Sequence, residues 1–183
     1  MRIAVSGAHG TGKTSLAESL ANALPGYAVY DEPYYQLESE GHVFAGVPGI
    51  RDFELQLERS MKSISGSGKD GIFDRCPADI LAYLMSHEKS AGVDLERWLP
   101  RVNEAMGKID LVVFVPIEHP DRIFIPKSEG RELRLRVDER LQEILLENRL
   151  AFDCEVFEAT GSLKERVEKV MKLIGAGGWH KGG

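Results

Sequence analysis

At 183 residues the chain suits one domain, and a chain of that length buries roughly 70% of its unfolded surface. A net charge of −6 argues against a general nucleic-acid binder, whose footprint is basic, while leaving room for a local basic pocket around one phosphorylated ligand. Two cysteines, Cys76 and Cys154, are too few for a disulfide scaffold or a zinc site, and no apolar run approaches the roughly 20 residues of a membrane span.

Short apolar runs alternate with amphipathic helices along the chain. "RIAVS" reads as a buried strand that turns into a glycine-rich loop too early for a signal peptide, so a cytoplasmic location is expected. Residues from about Lys13 to Leu24 form a helix, with Leu16, Leu20 and Leu24 at four-residue spacing and Pro25-Gly26 as its stop. "YAVYDE" is a second strand. A loop rich in glycine and proline then leads to a helix faced by Phe53, Leu57, Met61 and Ile64. The turn "GSGKDG" leads to the short strand "IFDR". Pro77 opens a helix carrying Ile80, Leu81, Leu84 and Met85.

Leu95, Trp98, Leu99, Val102 and Met106 mark another helical pattern, in which Pro100 predicts a kink or two short helices. "DLVVFVP" is the most strand-like run in the chain. Leu133, Val137, Leu141, Ile144 and Leu145 line a long helix to about Leu150. "EVFEA" is a last strand, and Leu163, Val167, Val170 and Ile174 line a last helix. The tail 176–183 has no periodicity and is expected to be flexible. Five strands alternating with helices predict one α/β domain over 1–175, a parallel sheet with helices on both faces.

The stretch "GAHGTGKT", Gly7 to Thr14, matches the pattern G-x-x-x-x-G-K-S/T between a buried strand and a helix. Gly7, Gly10 and Gly12 let the backbone turn sharply and bring its N–H groups inward, and the helix N-terminus adds partial positive charge. Lys13 supplies a cation for terminal phosphates and the Thr14 hydroxyl a ligand for Mg²⁺. The loop Gly7, Ala8, His9, Gly10, Thr11, Gly12, Lys13, Thr14, Ser15 is therefore expected to hold a nucleoside triphosphate, ATP, with Mg²⁺. His9 fills a variable position.

Carboxylates narrow the reading. Asp74 ends the strand "IFD", where it can hold Mg²⁺ directly or through water. Asp31 and Glu32 end "YAVY" at the same sheet edge, so Lys13, Glu32 and Asp74 are expected to converge. A polar turn before Pro33 and helix capping beside Pro77 are the plainer explanations of these acids.

Strand, glycine loop, an acidic pair after the second strand and "DR" after the third together resemble the nucleoside and nucleotide kinase group of P-loop proteins. That group includes deoxynucleoside kinases, thymidylate kinases and ribosylnicotinamide-kinase-like ATPases. The resemblance implies a three-layer P-loop sandwich with strand order 2-3-1-4-5. It also implies that Glu32 takes the proton from an acceptor hydroxyl, Asp74 stands at the metal and Arg75 orients the acceptor. "FELQLERSM" looks like the substrate-side helix, with Gln56 and Arg59 either on the acceptor or in solvent. Tyr34, Tyr35, Phe44 and Arg51 are expected to complete the acceptor pocket.

Kinases of this group carry a lid with arginines between the fourth strand and the next helix, which places a lid at about 126–136. At about 100° per residue, Arg131, Arg134 and Asp138 share a helix face, with Leu133, Val137 and Leu141 assigned to the other side. Lys127 and the Arg131–Arg134 pair are thus candidates to reach the triphosphate, against the plainer reading of a solvated face. The turn Thr160, Gly161, Ser162 resembles the stretch whose backbone meets adenine, and a helix cap explains it as well.

Two readings of function stand at this point. One is an ATP-dependent kinase of a nucleoside, nucleotide or related metabolite. The other is a regulatory ATPase that hydrolyses slowly and acts through a protein partner. The absence of N-K-x-D counts against a GTPase. A membrane partner is not expected, and the oligomeric state, a homodimer included, stays open.

Overall fold

The computed structural model describes residues 1–44, 46, 48–88, 90–121 and 130–176. Its frame is a parallel sheet of five strands in the order β2-β3-β1-β4-β5. These are β1 (Arg2–Ser6), β2 (Ala28–Tyr30), β3 (Gly71–Asp74), β4 (Leu111–Phe114) and β5 (Glu155–Glu158). The sheet order is the one the resemblance implies. β1 spans its whole run "RIAVS", whereas β2, β4 and β5 are shorter than theirs, because pairing stops where the chain turns into the loops at the carboxyl edge.

Alternation along the strands sends side chains to two cores. Ile3 and Val5 of β1, Ile72 of β3, and Leu111 and Val113 of β4 pack against α1 (Lys13–Ala23) and α7 (Leu163–Ala176). Ala4, Phe73, Val112 and Phe114 face the other way, toward α3 (Ile50–Gly66), α4 (Pro77–Ser86), α5 (Leu95–Met106) and α6 (Arg131–Leu141). The inner strands β1, β3 and β4 are buried on both faces, while the edge strands β2 and β5 are partly exposed.

Three elements depart from expectation. Pro33 opens α2 (Pro33–Ser39) in the stretch read as loop. Pro100 lies inside one continuous α5 rather than between two short helices. It sits on the exposed side, while Trp98, Val102, Ala105 and Met106 are buried, so packing of the apolar face outweighs the lost backbone bond. The long helix expected to reach Leu150 leaves α geometry at Leu141 and continues as a π-helical turn, Gln142–Leu146. Among the described residues no helix is long and apolar enough to cross a membrane. Lys127 and the tail residues 177–183 lie outside the described residues.

Candidate functional site

The glycine loop joins β1 to α1 at the carboxyl edge of the sheet. Gly7 has φ +151°, and a Cβ there would lie 2.4 Å from the Val115 carbonyl oxygen, so no other residue fits without moving β4. Gly12 caps α1 in the left-handed region at φ +88°. The amides of Gly10, Thr11 and Gly12 meet no acceptor among the described residues. A run of unpaired N–H groups ahead of a helix N-terminus is a concavity for an anion.

Lys13 is buried at 4% exposure, and its Nζ donates 2.7 Å to the Ala8 carbonyl across the loop. Burial, seconded by the neighbouring Arg75, lowers its pKa to about 7, against the opposing pull of Asp79, Glu32 and Asp74. An anion in the loop would restore the charge that burial disfavours.

Thr14 opens toward the same space, its Oγ1 donating 2.6 Å to Asp74 Oδ2. Asp74 is 5% exposed, and its second oxygen, Oδ1, is buried without a hydrogen-bond partner. Burial raises the pKa of this carboxyl, opposed by the Thr14 hydrogen bond and by Lys13. A hydroxyl beside a carboxylate with an orphaned oxygen is a donor set that suits Mg²⁺, which takes one or two carboxylates and fills its other positions with water and phosphate oxygens. Among the described residues, no group of three His, Cys, Asp or Glu side chains forms an all-protein metal cage.

Arg75 follows Asp74 with φ +77°, a left-handed conformation that is uncommon for a side chain of this size. Four contacts hold it there. Its Nε lies 2.7 Å from Glu32 Oε1, its Nη1 donates 3.1 Å to the Gly7 carbonyl and lies 3.7 Å from Asp79 Oδ1, and its guanidinium lies over the Tyr83 ring. Burial alone would lower the Arg75 pKa, and Glu32, Tyr83 and Asp79 more than reverse this. Glu32 Oε2 meets no protein donor among the described residues. One carboxylate oxygen is thus fixed by Arg75 while the other is open at the sheet edge.

Asp79, fully buried, is a member the sequence reading missed. Its Oδ1 accepts from the Gly7 amide at 2.8 Å, and its Oδ2 accepts from the Cys76 amide at 2.9 Å and the Cys76 thiol at 3.2 Å. The signal was present in "CPAD", where Pro77 and Asp79 occupy the first and third helical positions of a capping box. Tyr83 was missed too. Its hydroxyl accepts from the His9 amide at 3.1 Å, and its ring stacks on Phe53 at 5.3 Å.

Of the residues expected on the acceptor side, Gln56 is 4% exposed on α3 and its amide has no partner among the described residues. Tyr34 stacks on Phe44 at 4.3 Å, and Tyr35 meets Tyr34 edge-on while remaining exposed. Arg59, expected on the acceptor or in solvent, faces α2. It pairs with Gln36 at 2.8 Å and with Glu40, tying α3 to α2. Arg51 lines a groove between α3 and α5 with Glu54, Glu58 and Arg97, about 140° around the helix from Gln56.

The two arginines expected in a lid separate. Arg131 is exposed at the start of α6, whereas Arg134 is 3% exposed. Arg134 donates through Nε to the His9 carbonyl at 2.8 Å and through Nη2 to the Gly10 carbonyl at 3.3 Å, and it pairs with Asp121 at 2.6 Å. Val137 and Leu141 share the buried face with Arg134 and Asp138, so the assignment of the leucines and Arg134 to opposite sides was mistaken. Asp138 fastens this face to the segment after β4 by accepting from the Ile117 amide at 3.0 Å.

These placements set different costs on the arginines of α6. Arg134→Ala takes a buried guanidinium away from two loop carbonyls and from its contact with Asp121, and losing these charge-assisted hydrogen bonds costs roughly 3 kcal/mol. For a chain of this size that corresponds to a melting temperature lower by about 6–12 °C. Alanine at Arg131 or Arg136, both exposed, should leave the melt nearly unchanged. Three thermal melts decide it.

On the far side of the loop, Ser162 caps α7, its Oγ within 2.7 Å of Glu165 Oε2 and accepting from the Glu165 amide at 3.3 Å. The plainer reading of this turn therefore accounts for Ser162, and the Thr160 carbonyl accepts from Lys169 at 2.9 Å. The Gly161 amide donates to Glu118 at 2.8 Å. Glu118 in turn pairs at 2.8 Å with Arg166, a buried residue of α7 that the sequence reading also passed over.

A glycine loop between β1 and α1, a lysine within it and the strand order 2-3-1-4-5 define a P-loop protein with the fold of the nucleoside and nucleotide kinases. Residues 2–166 match the family described as an AAA domain, and the chain belongs to that family. No curated protein matches it.

Solved structures extend the likeness in fold. Deoxyadenosine kinase from M. mycoides, with products dCMP and dCDP bound, is 17% identical at TM-score 0.65, covering 96% of this chain and 99% of that one. Thymidylate kinase from Ehrlichia chaffeensis is 16% identical at TM-score 0.62, with 96% and 98% covered. Shikimate kinase from Aquifex aeolicus is 16% identical at TM-score 0.58, with 96% and 97% covered.

Proposed function

We propose that the chain is an ATP-dependent small-molecule kinase that moves the γ-phosphoryl of ATP to a hydroxyl of a nucleoside-like acceptor. The observation that carries this reading is Arg75. One guanidinium bonds the Gly7 carbonyl of the loop and holds Glu32 at 2.7 Å, so a carboxylate is fixed beside the phosphate cradle. A switch that only hydrolyses ATP has no evident need for such a group.

In the proposed reaction the acceptor hydroxyl gives its proton to Glu32, and its oxygen bonds the γ-phosphorus. The bond from that phosphorus to the bridging oxygen breaks, and ADP departs with the electron pair. Lys13 and the loop amides face the charge that develops on the phosphoryl oxygens. Thr14 and Asp74 are the residues that would hold Mg²⁺, which supplies charge screening on the triphosphate. Arg75 orients Glu32, and the Phe53–Tyr83 stack with the buried amide of Gln56 offers an apolar wall and one polar anchor for the acceptor.

Charge favours an acceptor without a phosphate of its own. Among the described residues, Arg59 is engaged by Gln36 and Glu40, Arg75 by Glu32, and Arg51 faces α5. The test is ATP turnover against a panel of nucleosides, nucleoside monophosphates and small hydroxylated acids, with products identified by mass. A phosphorylated nucleoside is the expected result. Turnover indifferent to every acceptor but raised by a protein partner would instead establish the regulatory ATPase.

A further inference from the structure

Three successive carbonyls of the glycine loop, those of His9, Gly10 and Thr11, are each held by a buried arginine from outside the motif. Arg134 of α6 takes the first two, at 2.8 and 3.3 Å. Arg166 of α7 takes the third through Nη1 at 2.8 Å. The two arginines come from different helices, and they are 3% and 7% exposed. Each is braced by a carboxylate, Asp121 for Arg134 and Glu118 for Arg166.

A trans peptide is planar, with its N–H directed opposite to its C=O. Fixing the oxygens of His9, Gly10 and Thr11 on the arginines therefore aims the N–H groups of Gly10, Thr11 and Gly12 the other way. Those are the amides that meet no acceptor among the described residues. A guanidinium on the carbonyl also polarises the peptide, which strengthens its N–H as a donor in a low-dielectric site. With glycine at two of these positions the loop itself has little steric preference, so its conformation has to be imposed from outside.

We propose that Arg134 and Arg166 are positioning residues that lock three peptide planes of the loop with their amides toward the polyphosphate, and so set its affinity without touching it. The inference rests on the reading of the loop as a phosphate cradle. Arg166 is the better probe, because Arg134 also carries much of the expected stability.

The experiment is calorimetric titration of wild type, Arg166→Met and Arg166→Gln with Mg-ATP and with Mg-tripolyphosphate, well below each melting temperature. Tripolyphosphate lacks base and ribose, so it reads the cradle alone. A charge-assisted hydrogen bond lost from the cradle should weaken both ligands by the same factor, about tenfold. The glutamine variant, which keeps an amide donor but no charge, should lose less, again equally for both, and it decides the matter alone if the methionine variant does not fold. Unchanged affinities beside a lowered melting temperature would make Arg166 merely structural and overturn the proposal. So would a loss confined to ATP, which would place Arg166 against the nucleoside. Wild type that binds neither ligand would overturn the phosphate-cradle reading itself, and this inference with it.

Discussion

Glu32→Gln should lower phosphoryl transfer by about 10²–10⁴, the range of general-base contributions, while Mg-ATP affinity stays near wild type. The substitution keeps the shape, but removes the negative charge that pairs with Arg75 and the ability to take a proton. Some stability will be lost as well, because Arg75 is 6% exposed and gives up its nearest counter-charge. Asp79, at 3.7 Å, and the Tyr83 ring remain to hold it. Rates should therefore be read below the melting temperature of the variant. Glu32→Asp separates the two effects: charge is kept, reach is shortened, and Arg75 can stay paired. Should Glu32→Gln turn over its acceptor at the wild-type rate, Glu32 is not the base and the kinase reading loses its main support.

The layer order and the loop could be read in the sequence because each has a local signature. Buried parallel strands are short runs of Val, Ile, Leu and Phe, and the glycine loop has fixed spacing between a strand and a helix. α2 has no such signature. It spans Pro33–Ser39, too short for a helical period to repeat, and only Pro33 is buried in it. The π-helical turn after Leu141 escaped for a different reason: Ile144 and Leu145 keep the apolar periodicity, so the pattern cannot tell α from π geometry.

At the site, what escaped was the set of buried groups that brace the loop from elsewhere in the fold. Asp79 has only the local capping signal of "CPAD", Tyr83 and Arg166 have no motif at all, and the partners of the three on the loop lie 72, 74 and 155 residues away in sequence. For Arg134 the helical period itself points to burial, since Val137 and Leu141 fall within about 60° of it around the axis; what the sequence does not contain is the pair of loop carbonyls that receive the arginine. The surroundings of Arg59 and Arg51 depend on α2 and α5 packing beside α3, which the sequence of α3 alone does not contain.

The burial of Lys13 makes a prediction that the motif alone does not. With its pKa at about 7, the free protein holds this amine mostly neutral at pH 8. A polyphosphate in the loop places anionic oxygens where Ala8 alone now accepts, which restores the ammonium. Binding of Mg-ATP at pH 8 should therefore take up close to one proton, and uptake should fall toward zero by pH 6, where the amine is already charged. Calorimetry in two buffers of different ionisation enthalpy measures this directly. In consequence affinity for Mg-ATP should decline as pH rises above about 7. Stability of the free protein responds with the opposite sign. The unfolded chain binds more protons than the native one between about 7 and the ordinary lysine value of 10.5, so this group's contribution to stability rises with pH across that window. Lys13→Ala removes both trends. It should also weaken Mg-ATP far more than Mg-ADP, because loop amides hold the inner phosphates, and should cost about 10²–10³ in turnover through the lost clamp on the transferring group. Equal weakening of the two nucleotides, or undiminished proton uptake in the variant, would mean that the buried amine is not the group that meets the terminal phosphate.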